Sequence, residues 1–450
     1  MDNTTRRLAD FVANVTWNDL SASAVHETTR RLIDSVACAL GGYTSEPARI
    51  ARALAGRMSG EPSARILGSG AATSMEMAAF ANTAMVRFLD CNDTYISKGS
   101  GHPSDMIGAC LAVADAHRAD GKATLLSIAA AYEIFTALAD VVVLRERGWD
   151  QGVFVVLGAA AAAAKLMGLT RDQTADALAI AATANVPTRQ TRAGELAMWK
   201  GCATAASAKA GVFAALLARD GMTGPTAAFE GRHGLMEQVT GPFELGTLGG
   251  ASYGVERANL KFFPSEYHSQ APVFIALDLR GKVRVEDIEA IDVQTYYMAW
   301  SEIGSEPAKW EPKTRETADH SLPYLLALGF VDGRIGPESF SDERIRDPAL
   351  RALMQRIRVS ENKDYTREFP GKLMTRIEVT TRGGERVSAL ASYPKGHAKN
   401  PMSDADVEAK FADLSHDLLP AGRRTTLLQA LWNVERAANI GAVLELSSVA

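Results

Sequence analysis

A short polar segment between residues 88 and 105 contains residue types that can move protons. Asp90, Thr94 and His102 place a carboxylate, a hydroxyl and an imidazole close together in the chain. An imidazole exchanges protons near neutral pH, and a neighbouring carboxylate can orient it. We therefore interpret these three residues as candidate catalytic groups rather than as a loop whose side chains only cap helices.

The residues that follow this histidine indicate its place in the fold. Pro103 disfavours a helical conformation at His102, and Ser104 is suited to the N-cap of the next helix. We expect His102 at a helix N-terminus, where backbone N–H groups attract an anion. For Asp105 the same pattern favours a simple helix-capping role.

Three further residues could bind an anionic substrate: Lys200, Lys261 and His268. Lys200 follows a tryptophan and precedes a helix of small residues, although many lysines at such positions are solvated. Lys261 and His268 lie where the helical pattern gives way to a mixed one, and ligand sites favour domain interfaces. A histidine bonded to backbone is an equally good interpretation of His268. Asp319, in the polar segment 315–321, is interpreted either as part of a supporting network or as an N-cap.

Together these groups suit a small polycarboxylate substrate. Histidine and carboxylate could remove a proton beside a substrate carboxylate and protonate a departing hydroxyl, while cations hold the other carboxylates. Motifs of other chemistries are missing, since no GxGxxG follows a strand and there is no P-loop, GxSxG elbow or HExxH. The sequence lacks the signatures of nucleotide redox chemistry, phosphoryl transfer and zinc proteolysis.

The four cysteines are scattered and show no metal-binding spacing. An iron–sulfur cluster needs three or four clustered thiolates, so we expect none here. Cys38, Cys110 and Cys202 lie among small apolar neighbours and are predicted to be buried thiols. Cys91 lies in the polar segment, and its role is left open.

Composition and charge exclude several kinds of partner. The 450 residues include 48 Lys+Arg and 53 Asp+Glu, for a formal net charge of −5. This mild acidity without a basic block argues against nucleic acid or a membrane surface as partner. The most apolar stretch, 153–167, is shorter than the ~20 residues that span a bilayer, and no apolar signal segment follows the N-terminus. We expect a cytoplasmic protein.

Helical periodicity dominates the first two-thirds of the chain, and a mixed pattern follows it. Thr170 and Gln173 form a capping box that predicts a helix start. The other predicted helices are 104–117, 122–143, 153–167, 202–219, 315–332, 342–357, 404–413 and 423–438, with a strand at 288–296 and a hairpin at 375–380 and 386–390. A chain of this length exceeds one ordinary domain. We therefore predict a mainly α protein, whose large helical domain combines N- and C-terminal segments with an inserted smaller α+β domain; the segments are 1–257, 258–395 and 396–450.

Seven motifs resemble those of the MmgE/PrpD family and follow the family's order: RFLDCNDT at 87–94, GHPSD at 101–105, MWKG at 198–201, FEG at 229–231, KFFPSEYHSQ at 261–270, ADHS at 318–321 and YPKGH at 393–397. The resemblance implies that the smaller domain is a lid and that the protein is a homodimer. It further implies an enzyme without metal or organic cofactor, as in 2-methylcitrate dehydratase, cis-aconitate decarboxylase and an iminodisuccinate epimerase.

The resemblance also assigns roles to individual residues. Asp90, Thr94 and His102 match the aspartate, threonine and histidine of the family's active-site loop, and Lys261 matches its lysine at the lid boundary. In the implied elimination, His102 oriented by Asp90 exchanges a proton with the substrate, Thr94 hydrogen-bonds it, and the cationic residues bind its carboxylates. The candidate catalytic set is Asp90, Thr94, His102, Lys200, Lys261 and His268.

Departures from the family's decarboxylase branch favour dehydratase activity over decarboxylase activity. That branch has a histidine where 149–152 here has none, a Thr-Lys-Pro-Leu-His segment at 195–199, and its boundary histidine at Glu266. The chain is instead similar to the dehydratase branch in its MWKG and EYHSQ segments, which favours a hydro-lyase acting on a hydroxy-polycarboxylate such as 2-methylcitrate. A decarboxylase or epimerase acting on a related acid is the alternative. Non-catalytic carboxylate binding, with saturation but no turnover, is a second hypothesis, and the cationic set argues against a scaffold without ligand.

Overall fold

The computed structural model describes residues 1–449. Its α-helices are α1 (Asn3–Asn14), α2 (Ala22–Gly42), α3 (Glu46–Ala55), α4 (Met75–Phe88), α5 (Ile107–Ala116), α6 (Gly121–Ala139), α7 (Gly152–Leu166), α8 (Arg171–Ala184), α9 (Trp199–Arg219), α10 (Gly254–Arg257), α11 (Gln270–Arg280), α12 (Tyr297–Ile303), α13 (Pro307–Trp310), α14 (Arg315–Ala318), α15 (Leu322–Val331), α16 (Asp342–Ile345), α17 (Pro348–Met354), α18 (Lys363–Glu368), α19 (Asp404–Ser415), α20 (Ala421–Trp432) and α21 (Ile440–Glu445).

The strands are few and short: β1 (Ala64–Arg65), β2 (Ala72–Thr73), β3 (Tyr95–Ile96), β4 (Ser100–Gly101), β5 (Ile288–Thr295), β6 (Ile357–Glu361), β7 (Thr375–Thr381) and β8 (Arg386–Ala391). Helix accounts for 57% of the structure and strand for 9%. The predicted mainly α class is therefore confirmed. The lid arrangement and the division at residues 257 and 395 stay predictions.

The chain forms two compact units. Unit 1 consists of residues 1–191, 201–260 and 403–450, and unit 2 consists of residues 192–200 and 261–402. Unit 1 is therefore built from segments that are far apart in sequence.

Unit 1 is a packed set of helices with alanine-rich faces. Helix α6 packs against α7, and α2 packs against α4 and α19. Small side chains permit this close packing: a Cβ added at Gly211 of α9 would lie 2.5 Å from the carbonyl oxygen of Val156 in α7. The start of α8 follows from the sequence, since the predicted capping box of Thr170 and Gln173 is present there.

Unit 2 contains a four-stranded mixed sheet in the order β6-β5-β7-β8. Strand β5 pairs in parallel with β6 and antiparallel with β7, and β7 forms the predicted hairpin with β8. Helix α11 packs against β7, β8 and α15. Helix α15 is buried from Leu322 to Phe330, so it forms the centre of this unit's apolar core.

Three local predictions are wrong. The helix predicted over 315–332 is interrupted, because α14 ends at Ala318 and α15 begins at Leu322 with Ser321 as its N-cap. The helix predicted over 342–357 is two short helices, α16 and α17, and β6 starts where it was expected to end. Ser104 is not an N-cap, since it lies within a 3₁₀ turn at Pro103–Met106, and its hydroxyl accepts a hydrogen bond from Asn92.

Two helices of the described chain are long and apolar enough, by length and composition, to cross a membrane: α6 and α9. The protein buries 89% and 67% of their most apolar windows. Buried core helices of soluble proteins meet the same criteria, so these helices are weak support for a membrane span.

All four cysteines are buried and free. The prediction of buried thiols at Cys38, Cys110 and Cys202 is therefore confirmed, and Cys91 joins them. Burial raises the pKa of Cys110 to about 12 and that of Cys202 to about 11. Both thiols stay protonated at neutral pH and are poor nucleophiles.

Candidate active site

The polar loop that follows α4 is held in place by backbone contacts within unit 1. Thr94 exchanges two backbone hydrogen bonds with Asn259, at 2.8 and 2.7 Å. Strands β3 and β4 then form a short antiparallel ladder that returns the chain to His102. Asp90 adopts a left-handed conformation with φ of 53°, which is rare for a residue with a side chain. The loop is therefore fixed at both ends, although it has almost no regular structure.

Asp93 is the residue on which this loop depends. It is fully buried, and its carboxylate accepts hydrogen bonds from the Ser104 backbone N–H at 2.9 Å and the Tyr132 hydroxyl at 2.7 Å. The Arg31 guanidinium Nε lies 3.8 Å from the same carboxylate. One aspartate thus ties the loop to α2, to α6 and to the 3₁₀ turn beyond His102.

The imidazole of His102 is oriented by the same residue. Its Nδ1 lies 2.7 Å from the backbone carbonyl oxygen of Asp93. A carbonyl only accepts hydrogen bonds, so Nδ1 carries the proton and the neutral ring has its lone pair on Nε2. His102 is placed at the start of a 3₁₀ turn, and its role in proton exchange and its orientation by Asp90 stay predictions.

A second buried network surrounds Asp90. The Arg87 guanidinium lies 2.7 Å from the Asp90 carboxylate and 3.7 Å from that of Asp105. Asn92 donates to Asp105 at 2.8 Å. The expectation that Asp105 only caps a helix is wrong, because its side chain is buried among these partners.

Thr94 and Gly101 contact one another across the loop. The Thr94 hydroxyl donates to the Gly101 carbonyl at 3.1 Å, so its proton is used and its oxygen keeps acceptor capacity. A Cβ added at Gly101 would lie 2.0 Å from the Gln151 side-chain oxygen and 2.8 Å from the Phe135 ring. Only glycine fits at this position without displacing the loop.

Unit 2 carries a separate charged cluster around Asp319. This carboxylate is completely buried, and the Lys200 ammonium lies 3.0 and 3.2 Å from its two oxygens. Arg315 approaches it at 3.4 Å and the His320 Nδ1 at 2.6 Å. Burial alone would raise the pKa of Asp319, but the charges on Lys200, His320 and Arg315 lower it below its ordinary value. The carboxylate is therefore ionised at neutral pH.

Lys200 is not the solvated helix-start lysine that its sequence position allowed. Only 3% of its surface is exposed. Two cations, Lys200 and Arg315, contact the carboxylate of Asp319.

Lys261 and His268 are also buried, with 0% and 8% of their surfaces exposed. His268 lies in a 3₁₀ turn at Tyr267–Ser269, and its Nδ1 is 2.5 Å from the Tyr296 hydroxyl. Burial and the Glu266 charge raise the pKa of Tyr296 well above its usual value, so the phenol keeps its proton and donates it. The neutral His268 ring then carries its proton on Nε2 and offers it as a donor. Its side chain is thus bonded to a tyrosine hydroxyl.

The structure thus gathers the six predicted residues into two groups. Asp90, Thr94 and His102 lie on one loop of unit 1, while Lys200, Lys261 and His268 belong to unit 2. Sequence reasoning missed Asp93 and Arg87, which hold the loop. Both residues lie in the RFLDCNDT motif, and its run of charged and polar residues was the sequence feature that could have indicated their role.

Comparisons with known proteins find relatives that align over most of the chain. The "2-methylcitrate dehydratase" of Cupriavidus necator is 30% identical over 424 residues, which cover 87% of this chain and 86% of the relative. An "alkylcitrate dehydratase" of a fungal species is 28% identical, covering 90% and 86%. A "cis-aconitate decarboxylase-like protein" of Aspergillus oryzae is 24% identical, covering 99% and 97%.

Family models identify both parts of the chain. The model of the MmgE/PrpD N-terminal domain matches residues 6–247, and that of the MmgE/PrpD C-terminal domain matches residues 263–434. These matches cover most of the sequence, including five of the six candidate site residues; Lys261 lies between the two matched ranges. The chain belongs to the MmgE/PrpD family.

Proposed function

We propose that this protein is a cofactor-independent dehydratase that eliminates water from a hydroxy-polycarboxylate such as 2-methylcitrate. The observation that carries the proposal is the tautomer of His102, which leaves Nε2 as a base while Nδ1 is held by the Asp93 carbonyl. Two of the relatives compared above bear dehydratase names, which supports the same class of reaction.

In the proposed elimination, Nε2 of His102 removes the proton from the carbon beside a substrate carboxylate. The electrons of the broken C–H bond form the double bond, and the hydroxyl departs with the C–O electron pair and takes up a proton to become water. A neutral imidazole is suited to this step because its ordinary pKa lies near neutral pH. The rigid anchoring of the ring by Asp93 keeps Nε2 in one orientation.

The substrate's negative charges require cations and hydrogen-bond donors. We assign carboxylate binding to Lys200, Lys261 and the Nε2–H of His268. Negative charge grows on the carboxylate beside the reacting carbon as the proton leaves, and buried cations stabilise such charge strongly. Lys200 has Arg315 as a second cation on the same aspartate, which limits how far Asp319 neutralises it.

Thr94 has a narrower role than a general hydrogen-bonding group. Because its proton is donated to the Gly101 carbonyl, its oxygen can accept a hydrogen bond but not give one to a carboxylate. We therefore assign it to the substrate hydroxyl, whose proton it would accept in a hydrogen bond. Asp90, paired with Arg87, keeps the loop in its conformation.

The proposal is tested by the ultraviolet absorbance of the conjugated double bond that dehydration creates. Protein treated with EDTA is offered 2-methylcitrate, citrate and cis-aconitate separately. Rising absorbance with either hydroxy acid is the expected result, and the faster one identifies the better substrate. Loss of cis-aconitate absorbance with release of carbon dioxide would instead show the decarboxylase activity named for one relative. Saturable binding without turnover would support the binding hypothesis and refute the enzyme.

A variant of His102 tests the mechanism. His102→Ala should lower kcat by a factor of roughly 10² to 10⁴ with the fold intact, which is the usual contribution of a positioned acid or base. His233→Ala, at an exposed histidine of the same unit, is the matched control and should keep full activity. A near-normal rate for His102→Ala would remove this residue from the mechanism. The homodimer implied by the family resemblance and the cytoplasmic location expected from the composition stay predictions.

A further inference from the structure

The elimination proposed above needs a proton donor for the departing hydroxyl, and unit 2 contains a group built for this. His320 directly follows Asp319 in the chain, between α14 and α15. Its Nδ1 lies 2.6 Å from Asp319 Oδ1 and 3.2 Å from the Lys200 ammonium. The candidate set inferred from sequence does not include either His320 or Asp319.

The short contact determines where the ring carries its proton. A nitrogen lone pair held 2.6 Å from a carboxylate oxygen would be repelled, so Nδ1 carries a proton and donates it to Asp319. Lys200 donates to both oxygens of the same carboxylate, at 3.0 and 3.2 Å. A proton on Nε2 as well gives the imidazolium form, whose positive charge the buried carboxylate stabilises.

The partner of each histidine separates their roles. His102 is held by a neutral carbonyl, so the neutral ring has its basic lone pair on Nε2. His320 is held by an ionised carboxylate, which favours the charged ring and an acidic Nε2–H. Pairs of titratable groups whose surroundings differ in this way identify the acid and the base of a reaction.

We propose that His320 is the general acid that protonates the departing hydroxyl, and that Asp319 is the positioning residue that holds it. This inference rests on the proposed dehydratase function. The C–O bond breaks with its electron pair on oxygen, and that oxygen takes the proton from Nε2 of His320 to leave as water. His102 gains the proton from carbon and His320 loses one, so exchange with solvent restores both rings and no oxidant or reductant is needed.

Other charges face this pair and set the pH at which it works. Arg315 on α14 and Lys200 on α9 contact Asp319. Lys309 on α13 interacts through space with Lys200 and Asp319, and also with Glu306 and Glu266. The cations oppose the protonation of His320, whereas the Asp319 carboxylate is the nearest charge and favours it. Loss of this carboxylate should therefore make the ring lose its proton at lower pH.

The decisive experiment compares two leaving groups. In a substrate analogue with fluorine in place of the hydroxyl, fluoride departs without needing a proton. His320→Gln should lower water elimination by a factor of roughly 10² to 10⁴ but fluoride elimination by less than about tenfold. A structural role for His320 would lower both rates alike, and that result, or a variant with normal water elimination, would overturn the inference.

The pH profile of Asp319→Asn gives a second test that does not depend on altering the histidine. The alkaline limb of kcat/KM should move to lower pH by about 1 to 3 units, the usual effect of removing an opposite charge in contact. Asp319→Glu should restore part of the shift. An alkaline limb that stays in place in Asp319→Asn would overturn the role of this carboxylate.

A surface pair supplies the control. His416 contacts the neighbouring Asp417 at 3.0 Å, and both are exposed, so His416→Gln should change neither elimination rate nor the pH profile. A wild-type protein that turns over no hydroxy-polycarboxylate would overturn the proposed function and this inference with it. Normal wild-type turnover with equal rates in His320→Gln would overturn the inference alone.

Discussion

The anchoring of the catalytic loop by Asp93 can be tested by removing one oxygen atom. Tyr132 lies in α6, is fully buried, and donates its hydroxyl proton to the Asp93 carboxylate at 2.7 Å. Burial and the Asp93 charge raise the pKa of this phenol well above its usual value, so it stays a donor at every working pH. Tyr132→Phe keeps the ring and deletes only this hydrogen bond.

The charge of the acceptor determines how much free energy of unfolding the lost hydrogen bond costs. A hydrogen bond to a charged group stabilises a protein by about 1.5–3 kcal/mol, and one between neutral groups by about 0.5–1.5 kcal/mol. Tyr324 offers a matched comparison, because it is equally buried and donates at the same 2.7 Å distance to a neutral backbone carbonyl, that of Ser339. We expect Tyr132→Phe to cost about 1.5–3 kcal/mol of unfolding free energy and Tyr324→Phe about 0.5–1.5 kcal/mol.

The two variants should also differ in turnover. Asp93 holds His102 through its carbonyl and Ser104 through its carboxylate, so a weakened anchor allows the imidazole to move. A loss of positioning worth 1.36 kcal/mol is tenfold in rate, and we expect kcat of Tyr132→Phe to fall by about that factor. Urea denaturation measures the stabilities, and initial rates measure kcat. Equal stability losses in both variants, or an unchanged kcat in Tyr132→Phe, would refute the reasoning.

Three further predictions follow from burial and charge. Gly101→Ala should abolish most turnover, because the added methyl would lie 2.0 Å from a buried amide oxygen, whereas Gly422→Ala, with nothing within 4 Å, should leave initial rates unchanged. Lys410→Met should cost about 3–5 kcal/mol in urea denaturation, because it removes the ammonium 2.5 Å from a buried carboxylate of α2, while Lys282→Met at an exposed pair should cost about 0–1 kcal/mol. The pKa of Asp319 is lowered, because neighbouring cations outweigh its burial, so its ionised form stabilises the fold above its ordinary value of 3.8 and this contribution is lost as the pH falls. Urea denaturation should therefore show the stability gap between wild type and Asp319→Asn shrinking from about pH 5 to about pH 3.

The long helices could be predicted because their determinants are local. The capping box at Thr170 and Gln173 fixes the start of α8, and the alternating pattern of 375–390 gives the β7–β8 hairpin. Strand β6 could not be found, since it lies at the edge of the sheet with only Ile357 fully buried. Its parallel pairing with β5 joins residues that are distant in the chain, and such pairing leaves no local signal.

The predicted helix over 315–332 fails for a related reason. Its apolar run is real, but Ser321 turns its hydroxyl toward the backbone carbonyl of Lys309 and also caps α15. These contacts end α14 at Ala318 and leave Asp319 and His320 in the connection. Helix periodicity cannot reveal a break whose cause lies twelve residues upstream.

No local sequence pattern indicates the hydrogen-bond partners of the candidate site residues. His102, His268 and His320 look alike in sequence, as single histidines in polar motifs, yet each Nδ1 has a different partner: a backbone carbonyl, a tyrosine hydroxyl and a carboxylate. A carbonyl leaves a basic Nε2, a phenol that donates leaves a neutral donor at Nε2, and a carboxylate stabilises the imidazolium. A dehydration requires a base, a donor for bound carboxylates and an acid. The three partners therefore give three chemically identical side chains the three different roles that the proposed reaction needs. Exchanging Asp319 for asparagine changes the role of His320 without altering any histidine.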